Sequence, residues 1–268
     1  MLTYEALMQE AKDRGMPPAK IRGILREYLQ VIILKELYKT KSGKKLYFTG
    51  GTYLRLVHNL KRFSEDLDFN TENIRQSEFE LLIDTVRDEL KRRNIDSYIK
   101  FKHWENMYAA HLVFPAIEKA YKVISNYSKK EGIVIKIETN RPKWKIKKET
   151  EVIFGFGEMY PCICTDKSAL FADKIDALGK KLRGRHLYDI IFMLSKGYPI
   201  DKGVLSTFGI NVNPLDAIIE KLQGLSQLEL KRQAEALRPF LFDESEADLL
   251  VSARQVIPQL IRKYKAFP

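Results

Sequence analysis

Two hydrophobic periods alternate along the first part of the chain, and one dominates the rest. Ile21, Ile24, Leu25, Leu29, Ile32 and Ile33 fall at helical spacing and predict a helix over residues 19–38. A shorter helix is expected over 3–14, and Pro17-Pro18 between them suits the first turn of the second. After a polar turn around Ser42-Gly43, residues 46–49 read as a short apolar strand. Gly50-Gly51 breaks it, and 52–60 returns to helical spacing. Leu67 and Phe69 mark another strand, with Asp66 and Asp68 on its opposite face. An amphipathic helix is expected over 76–93, and strands over 97–102, 109–114 and 133–139, the last from its β-branched content. The charged stretch 140–150 is expected as loop.

From residue 166 the pattern is helical throughout, over 166–197, 213–222, 226–239 and 244–265. Ser226 with Glu229, and Asp243 with Glu246, have capping-box spacing. Pro258 is expected to kink or split the last helix. The fold class is therefore α+β. An α/β domain with N-terminal helices over 1–160 precedes a helical domain over 161–268, with no internal repeat or low-complexity segment.

Composition narrows the class. With 268 residues and 45% hydrophobic content, the chain can bury a full core. Its net charge of +11 favours polyanionic partners. The excess is concentrated in residues 119–148, which hold ten basic residues (Lys119, Lys122, Lys129, Lys130, Lys136, Arg141, Lys143, Lys145, Lys147, Lys148) against two acids, Glu131 and Glu138. Tyr121, Tyr127 and Trp144 interrupt that run, so it reads as a track for a nucleic-acid backbone with stacking platforms. The two cysteines, Cys162 and Cys164, are poorly spaced for a mutual disulfide and lack the further ligands of a zinc site. The four histidines are scattered, which argues against a histidine-based metal site. Residues 1–15 are mixed and charged, unlike a secretory signal, and the apolar run 31–34 is too short for a bilayer. A cytoplasmic protein with no membrane partner is expected.

The chemistry is concentrated in residues 48–69, FTGGTYLRLVHNLKRFSEDLDF. A strand enters two glycines and then a helix. Glycine lets the backbone approach a phosphate closely, and a helix start offers free N–H groups. Thr52 can add a hydroxyl donor. Asp66 and Asp68, two apart on a strand, point to one face while Leu67 and Phe69 anchor the other. Two carboxylates held that close call for a divalent cation, and an all-oxygen set suits magnesium. Each half of the pattern alone is weak, because glycine pairs form turns and edge strands carry solvated acids. One helix apart, they reinforce each other.

This segment resembles the nucleotidyltransferase superfamily with the polymerase-β-like fold. "GGTxL…RFSEDLDF", with Arg62, Ser64, Asp66, Leu67, Asp68 and Phe69, is similar to the AbiEii family of toxin nucleotidyltransferases, which includes the MenT-type toxins. The resemblance implies a mixed β-sheet flanked by helices, followed by a helical domain. It implies two Mg2+ ions, an NTP as substrate, and a third carboxylate on a later strand. Glu138 in IVIKIE matches that place, although the family more often has Asp there. The stretch FADKIDALGKKLRGRHLYD, residues 171–189, matches an acid-Lys pair followed by Arg and Asp, which assigns Asp173, Lys174, Arg185 and Asp189. On spacing, Arg185 and Asp189 could pair along one helical face. The catalytic set is thus Asp66, Asp68, Glu138, Lys174 and Asp189, with Asp66, Asp68 and Glu138 as metal ligands. Gly50, Gly51, Thr52, Ser64, Lys174 and Arg185 are expected to contact the nucleotide. The Gly179-Lys180 pair lacks the spacing of a phosphate-binding P-loop.

The resemblance further implies an RNA acceptor, the 3′ end of tRNA, with growth arrest or abortive infection as the outcome. A cognate antitoxin, protein or transcript product, is expected to be encoded nearby. Rival readings are a small-molecule or protein acceptor, a glycosyltransferase using Asp-x-Asp under a sugar nucleotide, and a non-catalytic RNA-binding module of the same fold.

Overall fold

The computed structural model describes residues 1–105, 107–123 and 132–266. Residues 1–59, 63–142 and 148–165 form one compact unit; 60–62, 143–147 and 166–268 form another.

The first unit opens with α1 (Tyr4–Asp13), whose first turn is capped by the Thr3 hydroxyl. A 3-10 turn at Pro18–Lys20 leads into α2 (Ile21–Tyr38). There follow β1 (Tyr47–Thr49), α3 (Gly50–Leu56), β2 (Leu67–Asn70), α4 (Gln76–Arg92), β3 (Tyr98–Trp104), β4 (Met107–Phe114) and α5 (Ile117–Ala120). The unit closes with β5 (Ile133–Asn140), β6 (Lys148–Gly155) and β7 (Glu158–Thr165). Among the described residues the strands make one seven-stranded sheet in the order β3-β4-β5-β2-β1-β7-β6. β2 runs parallel to β5 and β1 to β7, while the other neighbours are antiparallel.

The sheet has one covered and one open face, and the alternation of side chains decides which is which. Ile133, Ile135 and Ile137 of β5 are fully buried, whereas Val134, Lys136 and Glu138 between them are not. α2 and α4 pack on the covered face, to which Leu25, Leu29, Ile32 and Ile33 of α2 and Phe79, Ile83 and Val86 of α4 contribute buried side chains. Each such residue stabilises the fold by about 1.5–3 kcal/mol relative to exposure. The Tyr160 hydroxyl of β7 donates to the Val31 carbonyl of α2, which fixes the helix against the sheet. On the open face, the edge strand β3 exposes Tyr98, Lys100, Lys102 and Trp104. At the opposite edge, Val152 and Phe154 of β6 stand directly across from Pro161 and Met159 of β7; Val152, Phe154 and Met159 are all exposed.

The β6–β7 hairpin is absent from the sequence-based expectation, which has 140–150 as loop. β6 begins at Lys148, and Lys148, Glu149 and Glu151 spread charge over both of its faces, as an edge strand tolerates. Cys162 and Cys164 lie on β7, both buried and both free thiols.

The second unit is helical: α6 (Lys167–Lys180), α7 (Gly184–Ser195), α8 (Lys202–Thr207), α9 (Pro214–Gln223), α10 (Gln227–Leu237), α11 (Asp248–Val251) and α12 (Ala253–Tyr264). Side chains of Asp166, Asp201 and Asn213 cap α6, α8 and α9, and Ser226 with Glu229 forms the expected capping box on α10. Asp243 instead accepts from the Ser245 amide and starts a 3-10 turn, while Glu246 accepts from the Tyr188 hydroxyl. Pro258 does not split α12. The buried stripe Ala253, Ile257 and Ile261 carries the helix across it, and the break falls at Ser252. No helix among the described residues is long and apolar enough to cross a membrane. The fold is α+β, a mixed sheet with flanking helices followed by C-terminal helices, as the sequence leads one to expect.

Candidate active site

The carboxylate face of β2 is built around one glycine. Gly50 has a φ of +81°, and a Cβ at that position would lie 2.3 Å from Asp68 Oδ2 and 2.9 Å from Asp68 Cβ. Glycine alone satisfies both the left-handed backbone and the close approach. Asp68 stands opposite Thr49 of β1 on one side and opposite Glu138 of β5 on the other. Leu67 and Phe69 are buried beneath, so Asp68 and Glu138 present their side chains to the open face; Asp66, expected on the strand, is half-buried in the loop immediately before β2.

The loop before β2 is held by groups that the sequence reading overlooked. Buried Gln30 of α2 donates its amide to the carbonyls of Ser64 (3.1 Å) and Glu65 (3.0 Å). The Thr52 hydroxyl, expected as a phosphate donor, is buried and donates to the Asp66 carbonyl, so it fixes the backbone at the entry to β2. Gly51 is buried in the first turn of α3. That helix is tied to α2 by Glu27, which accepts from Arg55 Nε at 2.8 Å and from Arg14 Nη2 at 2.9 Å. A charge or amide inside an otherwise apolar helix, as at Glu27 and Gln30, was the available signal for these roles.

Glu138 pairs with Lys136, its neighbour two residues back on the same face, at 2.5 Å. Among the described residues no three His, Cys, Asp or Glu side chains close on a common centre. The donor set is nonetheless the kind a hard divalent cation takes, carboxylate oxygens on one face with a counter-cation already at Glu138.

In the helical unit, Asp189 is fully buried and accepts two hydrogen bonds from Arg62, Nε to Oδ1 and Nη2 to Oδ2, both at 2.8 Å. Lys174 Nζ lies 3.0 Å from Asp189 Oδ2. Burial alone would raise the Asp189 pKa; Arg62 first and Lys174 next outweigh it and hold it below the usual carboxylate value. The expected Arg185–Asp189 pair does not form, because Arg62 occupies the carboxylate bidentately. Arg185 has no ion pair among the described residues and lines, with Arg183, Gly184 and Gln233, a cavity of about 270 Å3. Asp173 is exposed. Desolvation, then the Lys174 charge, lowers the His186 pKa to about 3, so its ring is neutral.

The basic stretch 119–148 is not a uniform track. Tyr127, Lys129, Lys130 and Glu131 lie outside the described residues. Lys119, Lys122, Lys143 and Lys145 are exposed, but Lys147 pairs with Asp201 at 2.7 Å, and Lys148 sits 4.3 Å above the Tyr47 ring. Tyr121 is buried, its hydroxyl donating to the Leu2 carbonyl.

Comparison with known proteins bears on the family and the fold. A profile of the nucleotidyl transferase AbiEii toxin family, type IV TA system, matches residues 32–255. Among solved structures, MenT4, a nucleotidyltransferase toxin from Mycobacterium tuberculosis H37Rv, is similar at 16% identity and a TM-score of 0.59, over 99% of this chain and 94% of that one. JHP933 from Helicobacter pylori is similar at 17% identity and a TM-score of 0.55, over 91% and 94%. A putative nucleotidyltransferase of H. pylori gives 19% and 0.54, over 91% and 96%. These likenesses speak for the fold. No curated relative matches the sequence. The profile spans most of the chain, both sequence motifs included, and the chain therefore belongs to the AbiEii family of nucleotidyl transferase toxins of type IV toxin–antitoxin systems.

Proposed function

We propose that this chain transfers a nucleotide from an NTP to the 3′ end of tRNA and acts in the cytoplasm as the toxin of a toxin–antitoxin pair. Family membership implies the NTP substrate and an antitoxin counterpart. The observation that carries the reading is the packing of Gly50 against Asp68, with Asp68 and Glu138 in register on adjacent parallel strands.

Asp66, Asp68 and Glu138 would hold two Mg2+ ions, which supply charge stabilisation for the attacking and leaving oxygens of an in-line displacement. The chain's own part is positioning. Gly50 and Gly51 let backbone approach the triphosphate, and Ser64 contacts it from the loop that Gln30 holds. Thr52 fixes the Asp66 backbone. The family pattern adds Lys174 and Arg185 as cations that neutralise the triphosphate, and Asp189 as the carboxylate that orients Lys174. The acceptor oxygen bonds to the α-phosphorus, the α–β phosphoanhydride bond breaks, and pyrophosphate leaves. Glu138 takes the acceptor proton once it is released from Lys136.

The test is incubation of the protein with total tRNA and each α-labelled NTP in turn, for wild type, Asp66→Asn and Asp68→Asn. Wild type is expected to label tRNA and release pyrophosphate, and both variants to lose at least about a hundredfold in rate while folding normally. Near-normal turnover of either variant would sink the metal assignment. Label passing from a nucleotide sugar instead would move the chain to glycosyl transfer.

A further inference from the structure

The register of the sheet extends the carboxylate face into a second surface. Glu138 of β5 lies directly opposite Ala109 of β4, which lies opposite Lys102 of β3. One row along, Lys136 stands opposite His111, and His111 opposite Lys100. Asp68, Glu138, Ala109 and Lys102 therefore form one line across four strands, and Lys136, His111 and Lys100 form the next. All of these side chains point to the open face. Tyr98 and Trp104, two residues to either side of the lysines on β3, are 40% and 50% exposed on that same face. Small, buried Ala109 leaves a low point between Glu138 and Lys102.

We propose that this open face of β3, β4 and β5 is the acceptor platform, on which a single-stranded RNA end lies with its phosphates on Lys100, Lys102 and Lys136 and its bases on Tyr98 and Trp104. The inference rests on the RNA-acceptor reading above and adds to it where the acceptor lies. Three strand spacings separate Lys102 from Asp68, roughly 14 Å, so a strand anchored at β3 can present its terminus to the carboxylates. Lysines supply sequence-independent phosphate affinity, and exposed aromatic rings supply stacking that any base can use. His111 sits between the two groups. Desolvation, Lys102 and Lys136 push its pKa down while Glu138 and Asp66 push it up; the net shift is downward, which leaves a neutral ring able to donate a hydrogen bond. The carboxylates and the basic row thus share one electrostatic neighbourhood. Of the basic strip 119–148, Lys136 alone belongs to this row; it stands on β5 two residues before Glu138.

The experiment is steady-state labelling of tRNA by wild type and Lys100→Glu/Lys102→Glu, with direct binding of a 3′-terminal single-stranded RNA oligonucleotide at two salt concentrations. Both lysines are exposed on an edge strand, so circular dichroism and Tm are expected to match wild type. The KM for tRNA should rise about tenfold or more, and the salt slope of binding should fall by about 1.4, with the KM for NTP unchanged. As a separate readout, RNA should quench the fluorescence of Trp104, and Trp104→Phe should remove that quenching. If wild type labels tRNA and the double variant does so with unchanged KM and salt slope, the platform is wrong and the RNA reading stands. If the variant's KM rises for NTP instead, the row serves the triphosphate and the proposal falls. If wild type binds and labels no RNA but modifies a small molecule, the underlying reading falls with it.

Discussion

Gly50 and Asp189 show how much a single side chain can decide. Gly50→Ala would place a methyl group within 2.3 Å of Asp68 Oδ2 on a backbone of φ +81°. The contact can be relieved only by moving Asp68, and the left-handed backbone stays strained even then. We expect at least a hundredfold loss of kcat with a stability loss of about 1–3 kcal/mol, measured by nucleotide transfer and by urea unfolding. An active Gly50→Ala protein would contradict the role given to that contact. Asp189 is the opposite case, a buried anion between two cations. Asp189→Asn leaves Arg62 and Lys174 without their counter-charge and should cost about 3–5 kcal/mol near neutral pH. Because the native pKa is held below the ordinary carboxylate value, this contribution is complete above the unfolded pKa of about 4. It is lost as pH falls through the native pKa. The gap in stability between wild type and variant should therefore be constant from about pH 5 upward and narrow in acid; a gap that widens in acid would refute the sign.

At the level of elements, α2 links core and site. Its apolar positions were readable from the sequence because they recur at helical spacing, yet Glu27 and Gln30 in the same stretch passed unnoticed. Periodicity reports which face is buried but not which carbonyl lies beneath it. Gln30→Leu should leave the Ser64 and Glu65 carbonyls unpaired and let the loop before β2 drift. The expected result is a fall in kcat of about tenfold or more with only a modest loss of Tm, and Gln30→Glu, which also cannot donate, should not restore it. Retained kcat in Gln30→Leu would reduce Gln30 to a packing residue. The strands carrying Asp68 and Glu138 were legible for the same reason as α2, a clean alternation over a buried face. β6 and β7 were not, because an edge hairpin places charge and apolar groups on both sides. The partner of Asp189 was also hidden. Spacing along one helix suggested Arg185, whereas the actual partner, Arg62, lies far away in sequence, and only folding brings the two together.

Across the whole molecule, the legible part was local and the illegible part relational. Both motifs and the α+β class could be read from runs of residues, while the basic row on β3–β5 emerges only once strand register is known. Register also has a bearing on solution behaviour. The edge strand β6 presents Val152 and Phe154 beside Pro161 and Met159, an exposed apolar ribbon at the open edge of the sheet. What keeps two such ribbons apart at low ionic strength is the mutual repulsion of molecules that each carry +11. Added salt shortens the reach of that repulsion from about 10 Å at 0.1 M to about 3 Å at 1 M and leaves the ribbon as sticky as before. The protein should thus salt out early, with light scattering that climbs with ionic strength and as pH nears its isoelectric point of about 9.4. Phe154→Lys should hold it monodisperse across the same range, and scattering that is indifferent to this substitution would point to a different sticking surface.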